Sequence, residues 1–220
     1  MAADILKASS TNELTSLTIE RLLRQFLQPF SDHVLFLGVF PFDYFPHSSF
    51  TQPTLQRSIC CVVNNDPSTK PGQHWVALFR DKGTNQIEFF DSYGFPPEKY
   101  HFAPFSNFHV IFNKITLQSK WSNVCGHYCV LFVYLRAYSV KTVKIDSRFK
   151  HVIDFLTKLS AGPTLNRDIN VKRIIARNIH LSRSPLITPF MHHHHVGPFA
   201  SSSSTPTPVQ SSSPFQPFSD

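Results

Sequence analysis

The sequence predicts an α+β fold in which a central, mostly antiparallel sheet is flanked by helices. Five short runs rich in β-branched and aromatic residues are separated by Pro, Gly, Asn and Ser, as expected of neighbouring strands. Longer segments with helical spacing of apolar residues lie before and after these runs. The 220 residues are enough for one well-packed core, and 22 Phe residues predict that it is rich in aromatic rings.

The elements can be placed in order along the chain. An N-terminal helix is predicted over 18–28, because apolar residues recur at helical spacing after Thr18 and Pro29 closes the run. Five strands are predicted next, over residues 34–40, 59–64, 74–80, 86–91 and 109–112. Three helices are predicted after them, over residues 125–138, 146–159 and 168–180.

The composition changes sharply after Arg183. Among the 37 residues 184–220, nine are Ser, seven are Pro and one is charged. We therefore predict a folded domain over residues 1–183 and a disordered tail over residues 184–220. The tract His192–His195 in that tail is capable of binding a metal, but four adjacent histidines in a flexible tail more often have no structural role.

Cysteine spacing and hydropathy restrict the compartment. The cysteines occur as the pair Cys60–Cys61 and as Cys125 and Cys129, without the wide spacing of a secreted disulfide framework. Residues 1–17 contain no continuous apolar run, and no stretch of 18 apolar residues occurs. We therefore expect a soluble, intracellular protein of the nucleus or cytoplasm that does not associate with membranes.

The formal net charge of +7 is concentrated in one segment. Residues 141–183 carry ten basic and three acidic residues. Such a segment is either a surface that faces a polyanion or a solvated basic helix face.

A histidine and an aspartate are predicted to meet across two neighbouring strands. His74 begins one predicted strand and Asp91 ends the next. If Arg80 pairs with Asn85 across the intervening turn, antiparallel counting places His74 directly opposite Asp91 on the same face. A cross-strand pair at about 5 Å between Cβ atoms permits an imidazole–carboxylate hydrogen bond.

Cys125 stands at the predicted start of a buried helix. Unpaired N–H groups and the helix dipole at this position favour a thiolate, and a nearby imidazole would complete the activation. Gly126 is expected to leave room for a substrate backbone, and the Cys125 N–H is a candidate donor to an oxyanion. Gln118, seven residues upstream, carries a side-chain amide able to donate to the same oxygen. Each residue alone is more often structural, so their joint order carries the argument.

The order and spacing of these residues resemble a known family. The matching segments are His74-Trp75, residues 90–95 (FDSYGF), Gln118, and Cys125-Gly126 with Cys129. Together they resemble the adenovirus endopeptidase (adenain) family and its relatives in Polinton/Maverick transposons. Intervals of 17 residues from His74 to Asp91 and of seven from Gln118 to Cys125 are those of the family. The segments at 36–38 and 61–64 also match, so the resemblance covers about residues 15–140.

The resemblance implies a cysteine proteinase fold of the adenain and ubiquitin-like-protease type, with residues 1–183 as the protease domain. By this resemblance Cys125 is the nucleophile, His74 is the general base and Asp91 holds the imidazole. Gln118 is then an oxyanion donor. Adenain has Glu at the position of Asp91, whereas the ubiquitin-like-protein proteases have Asp there. Either acid can accept a hydrogen bond from the imidazole N–H. Trp75 is expected to pack beside His74 and wall the site.

The resemblance also implies partners. The expected substrates are virus-like capsid precursor proteins, cut near glycine by a monomeric enzyme. No metal or other cofactor is required, whereas DNA or an activating peptide could stimulate the reaction. A disulfide-tethered activator is not expected, since no Cys lies between Asp91 and Gln118.

Three other interpretations remain open. A protease that deconjugates ubiquitin-like proteins would share the same His, Asp, Gln and Cys order. A zinc module could use Cys125, His127 and Cys129 with Cys60 and Cys61, although alternate ligands suit a strand or turn better than a buried helix. A catalytically inactive relative that binds protein or nucleic acid would keep the fold alone.

Overall fold

The structure, a computed structural model, describes residues 13–100, 105, 108–159 and 163–180. Its five helices there are α1 Ser16–Leu27, α2 His47–Thr51, α3 Cys125–Thr142, α4 Arg148–Lys158 and α5 Thr164–His180. Its five strands there are β1 Val34–Pro41, β2 Ser58–Asn64, β3 Trp75–Arg80, β4 Gln86–Phe90 and β5 His109–Phe112. The predicted tail over 184–220, with His192–His195, lies outside the described residues.

The five strands form one sheet in sequence order, β1-β2-β3-β4-β5. Helices flank this sheet, so the predicted α+β class is confirmed. The strand directions are more mixed than predicted, because β2–β3 and β3–β4 pair antiparallel whereas β1–β2 and β4–β5 pair parallel. Each parallel pair needs a crossover, and the first contains the short helix α2, which the sequence did not predict.

The β3–β4 register differs from the predicted one by two residues. Arg80 pairs with Ile87 instead of Asn85, and Ala77 pairs with Phe90. Thr84 closes the turn on the Asp81 carbonyl, and the Asn85 carbonyl accepts a hydrogen bond from β5. Asn85 is thus withdrawn from the ladder with β3. Because side chains alternate with a period of two, this shift keeps Asp91 on the predicted face and moves it diagonal to His74.

Helix α3 occupies the centre of the molecule. It packs on β3 from one side and against α1, α4 and α5 from others, so nearly all its side chains are buried. Phe132 stacks on Phe90 of β4 with ring centroids 4.3 Å apart. The helix begins at Cys125 as predicted and continues four residues beyond Tyr138. Within the described ranges, no helix is long and apolar enough to cross a membrane.

A buried arginine joins α3 to the sheet. Arg136 is fully buried, and its guanidinium donates to both Glu88 carboxylate oxygens at 2.5 and 2.9 Å. It also donates to Asp81 at 2.7 Å, and Arg148 at the start of α4 bonds the other Asp81 oxygen at 2.9 Å. Burial alone would lower the pKa of Arg136, but the two carboxylates raise it above its usual value. The guanidinium therefore remains charged inside the core, whereas burial raises the pKa of Glu88 to about 7 against the opposing effect of Arg136.

We expect Arg136→Leu to destabilise the fold strongly. The substitution leaves Glu88 and Asp81 buried without their counter-ion, which typically costs about 3–5 kcal/mol. Arg24→Leu is the matched control, because Arg24 pairs with Glu20 on the surface of α1 and such pairs contribute roughly 0.5 kcal/mol or less. Urea denaturation of both variants measures the difference. Equal losses would show that the buried cluster does not stabilise the fold.

Candidate active site

The predicted histidine and aspartate are in direct contact. His74 immediately precedes β3, Asp91 immediately follows β4, and both side chains are buried. The His74 Nε2 lies 2.6 Å from Asp91 Oδ1. The two residues thus form the predicted imidazole–carboxylate pair, although they are diagonal neighbours across the sheet.

The Asp91 carboxylate is held by further donors. Oδ1 also accepts from the Tyr93 N–H at 2.9 Å, and Oδ2 accepts from the Phe95 N–H and the Tyr100 hydroxyl, both at 2.9 Å. The Asn113 side chain clamps the Asp91 backbone, accepting from its N–H at 2.9 Å and donating to its carbonyl at 2.6 Å. These bonds leave the carboxylate one orientation, which faces His74.

The His74 ring is positioned from several directions. Tyr93 and Tyr100 stack on it with centroid distances of 4.9 and 5.7 Å. Its backbone N–H donates to Asn65 Oδ1 and its carbonyl accepts from the Asn65 N–H, both at 2.9 Å. Because Nε2 is bonded to Asp91, the hydrogen bond between His74 and Cys125 is assigned to the other ring nitrogen, Nδ1. Burial disfavours the imidazolium, yet Asp91 and Cys125 together raise the pKa of His74 to about 9.

Cys125 is the first residue of α3 and is 7% exposed. It therefore stands at the helix start, where the backbone N–H groups have no partner within the helix. The expected role of Gly126 is wrong. A Cβ at Gly126 would stand 3.0 Å from Ile19 and 3.1 Å from Leu14, so glycine is needed for helix packing and not for a substrate backbone. Trp75 lies beside Gly126 as well, and its indole N–H donates to the Leu14 carbonyl at 3.1 Å.

Gln118 is buried and fixed by the segment after Asp91. Its Oε1 accepts from the Ser92 hydroxyl at 2.7 Å, and its backbone N–H donates to the Ser92 carbonyl at 3.0 Å. The side-chain amide donates to the Tyr93 hydroxyl at 3.1 Å and to the Ser122 carbonyl. Both amide hydrogens are therefore engaged in the free protein, one of them by the tyrosine that stacks on His74.

Asp168 organises the loop that carries Gln118. We predicted a helix starting at Asp168, but α5 starts at Thr164, and Asp168 points into the loop before α3. One carboxylate oxygen accepts from the Ser119 N–H at 3.1 Å and the Ser122 hydroxyl at 2.6 Å. The other accepts from the Tyr128 hydroxyl at 2.9 Å. The acid thereby joins α5, the loop and the first turn of α3.

Sequence reasoning missed most of the supporting residues. Ser92 and Tyr93 were recognised only as parts of a matching segment. Tyr100, Asn113 and Asp168 carried no local signal, because each acts on a residue far away in the sequence.

The zinc interpretation gains no support from the arrangement of ligands. Cys125, His127 and Cys129 lie within the first turns of α3. In the part of the chain that the structure describes, no group of three His, Cys, Asp or Glu side chains is placed to hold a metal ion. All four cysteines are free and buried.

Comparison with known proteins finds distant structural similarity only. No protein-family model matches the chain, and no curated protein matches its sequence. The ASFV pS273R protease is similar over 74% of this chain and 68% of its own, with 17% identity and a TM-score of 0.44. The SUMO protease Ulp1 with its catalytic cysteine oxidised to a sulfinic acid is similar over 80% and 83%, with 12% identity and a TM-score of 0.46. The C-terminal Ulp1 protease domain in complex with Smt3, the yeast orthologue of SUMO, is similar over 81% of this chain and 82% of its own, with 14% identity and a TM-score of 0.46.

The raised pKa of His74 predicts a pH-dependent contribution to stability. The folded-state pKa of about 9 exceeds the ordinary value of 6.5, so the contribution is complete below about pH 6.5 and is lost as the pH rises through 9. It amounts to on the order of 3 kcal/mol. The free energy of unfolding of the wild type, minus that of His74→Gln, should therefore decrease across this window in urea denaturation. Asp91→Asn should reduce the decrease, and a difference independent of pH would contradict the assignment.

Proposed function

We propose that this chain is a cysteine-type endopeptidase that hydrolyses peptide bonds through a thioester acyl-enzyme. One observation carries the proposal: the His74 ring bonds Asp91 through Nε2 and is hydrogen-bonded to Cys125, which begins a buried helix. A thiol, an imidazole and a carboxylate connected in this order are the parts of a nucleophile–base–acid relay. Such a relay needs no metal or organic cofactor.

Each group has its own step in this proposal. His74 takes the Cys125 proton on Nδ1, and the sulfur attacks the carbonyl carbon of the peptide bond. The imidazolium then gives this proton to the departing amine, leaving a thioester on Cys125. His74 next removes a proton from water, whose oxygen attacks the thioester and releases the new carboxylate while the thiol is restored. Asp91 keeps the ring oriented and its charge stabilises the imidazolium in both halves.

The oxyanion is stabilised by two donors in this proposal. One is the Cys125 backbone N–H, which is unpaired at the start of α3. The other is the Gln118 amide, which can replace its hydrogen bond to the Tyr93 hydroxyl by one to the substrate oxygen. When a substrate oxygen takes over this hydrogen, Ser92 continues to hold Gln118 through Oε1. In this proposal Gln118 needs to exchange only its bond to Tyr93 when the substrate binds.

The substrate class follows from the family resemblance alone. Virus-like capsid precursors remain the predicted substrates, and stimulation by DNA or an activating peptide remains a prediction. The basic residues of segment 141–183 that the structure describes lie mainly along α4 and α5. Cleavage of a panel of ubiquitin-like fusion proteins would instead support the deconjugating alternative.

Loss of the nucleophile tests the proposed activity. We expect Cys125→Ala to abolish proteolysis with the fold retained, since the side chain is small and stands at a helix start. Iodoacetamide should inactivate the wild type by labelling Cys125 first. Burial raises the pKa of the Cys60, Cys61 and Cys129 thiols, which are fully buried. Cleavage retained by Cys125→Ala, or inactivation mapped by mass spectrometry to another cysteine, would refute the assignment.

The oxyanion role predicts a difference between two neighbouring variants. Gln118→Ala removes the donor and should lower kcat about 10²-fold or more, with little change in KM. Ser92→Ala removes only the hydroxyl that orients the amide and should have a smaller effect on kcat. Steady-state kinetics on one peptide measure both. A loss confined to KM would reassign Gln118 to ground-state binding of the substrate.

A further inference from the structure

A cleft of about 440 Å³ is lined in part by Gln73 and Trp75, the chain neighbours of His74. Its walls come from three segments, residues 13–16 before and at the start of α1, residues 39–41 at the end of β1, and the loop between β2 and β3. Side chains of mixed character line it, including Leu14, Phe40, Asp66, Lys70 and Trp75. The cleft can therefore receive a chain segment with one long side chain.

The cleft adjoins the candidate active site through residues that the two share as neighbours. Trp75 follows His74 in the chain, and Asn65, next to Asp66, holds the His74 backbone with two hydrogen bonds of 2.9 Å. Leu14 and Trp75 both pack against Gly126, the neighbour of Cys125. A polypeptide that presents a bond to Cys125 thus has this cleft as its neighbouring binding surface.

The side chain of Asp66 is the unusual feature of the cleft. Its backbone is fixed, since the N–H donates to Asn64 Oδ1 at 2.9 Å and the carbonyl accepts from the Phe42 N–H at 3.2 Å. The Asn64 side chain is fixed in turn against Gly72. The carboxylate oxygen Oδ2, in contrast, is buried and accepts no hydrogen bond among the described residues, although Asp66 as a whole is partly exposed. A buried carboxylate oxygen without a donor is costly, which favours binding of a donor that enters the cleft.

The charges around Asp66 favour a cation. Glu13 and Asp66 are the acids that line the cleft, and Lys70 is its basic residue. Lys70 is exposed, and Asp66 Oδ2 has no hydrogen-bond partner among the described residues. The charge available next to Asp66 is therefore that of its own carboxylate, although the protein as a whole has a net charge of +7. A Lys or Arg side chain has the positive charge and the N–H donors to satisfy the carboxylate.

We infer that the cleft selects substrates with a Lys or Arg side chain close to the scissile bond, and that Asp66 is the specificity-determining residue. This inference rests on the proposed endopeptidase activity. The charged head of the substrate residue pairs with Asp66, while its aliphatic stem packs against the apolar side chains of the cleft, Leu14, Phe40 and Trp75. Rotation about the soft terminal torsion of Asp66 can bring either oxygen to the incoming donor.

Cleavage of a randomised peptide library by the full chain tests the inference. The wild type should prefer Lys or Arg at one position roughly tenfold or more over the apolar analogue norleucine in kcat/KM. Asp66→Asn should lose this preference, and Asp66→Lys should reverse it toward Asp or Glu. Asp32→Asn removes the same charge at an exposed turn outside the cleft and should leave the preference unchanged.

The outcomes separate the inference from the proposed function. Efficient cleavage without a basic preference, or a preference unchanged in Asp66→Lys, would overturn the role of Asp66 and leave the protease assignment intact. Failure of the wild type to cleave any peptide would refute the protease assignment. A binding measurement still tests the role of Asp66 in that case. Fluorescence anisotropy of a labelled Lys peptide should show weaker binding to Asp66→Asn than to the wild type. Equal binding would overturn the cation site. Thermal melting of each variant verifies that the fold is retained.

Discussion

The contact between Arg136 and its two carboxylates sets the geometry on which the rest of the molecule depends. A planar guanidinium inside the core can satisfy Glu88 and Asp81 together in only one helix orientation, so it fixes both the rotation and the axial position of α3 against β4. Cys125 lies eleven residues earlier on the same helix, about 16 Å away at 1.5 Å per residue. The charge cluster and the candidate active site thus occupy two ends of one helix–sheet interface.

The site at the other end consists of strand ends and loops, which need their own supports. Each support is a polar side chain, buried in Asn113 and Asp168 and partly exposed in Asn65, that bonds the backbone of another segment. Asn113 clamps the backbone of Asp91, Asn65 that of His74, and Asp168 the loop that carries Gln118. Because a buried polar group without a partner is costly, these side chains hold the loops as firmly as packing holds the core. Preorganised donors and acceptors are what hydrolysis of an unactivated amide requires.

Much of the secondary structure could be predicted, because it depends on local periodicity. The five strands begin or end within one residue of the predicted limits, since turn residues interrupt each apolar run. Predictions failed where distant contacts decide. The β3–β4 register differs from the predicted one by two residues, since the Asn85 carbonyl bonds β5. Helix α5 begins before Asp168, whose carboxylate bonds the loop at Ser119, nearly fifty residues earlier in the sequence. Gly126 was misread for the same reason, since its neighbours Leu14, Ile19 and Trp75 are all distant in the sequence.

The sequence by itself determined the kinds of groups in the candidate site and their order. His74, Asp91 and Cys125 each stand at a strand or helix boundary that local patterns reveal, and Gln118 lies in the loop between β5 and α3. Only the tertiary structure decided how they meet, namely which ring nitrogen of His74 faces the acid and which acceptors the Gln118 amide bonds. It also decided that Asp66 Oδ2 is buried without a partner among the described residues. The physical reason is that periodicity is a property of neighbouring residues. A hydrogen bond depends on positions to a fraction of an ångström, which long-range packing alone sets.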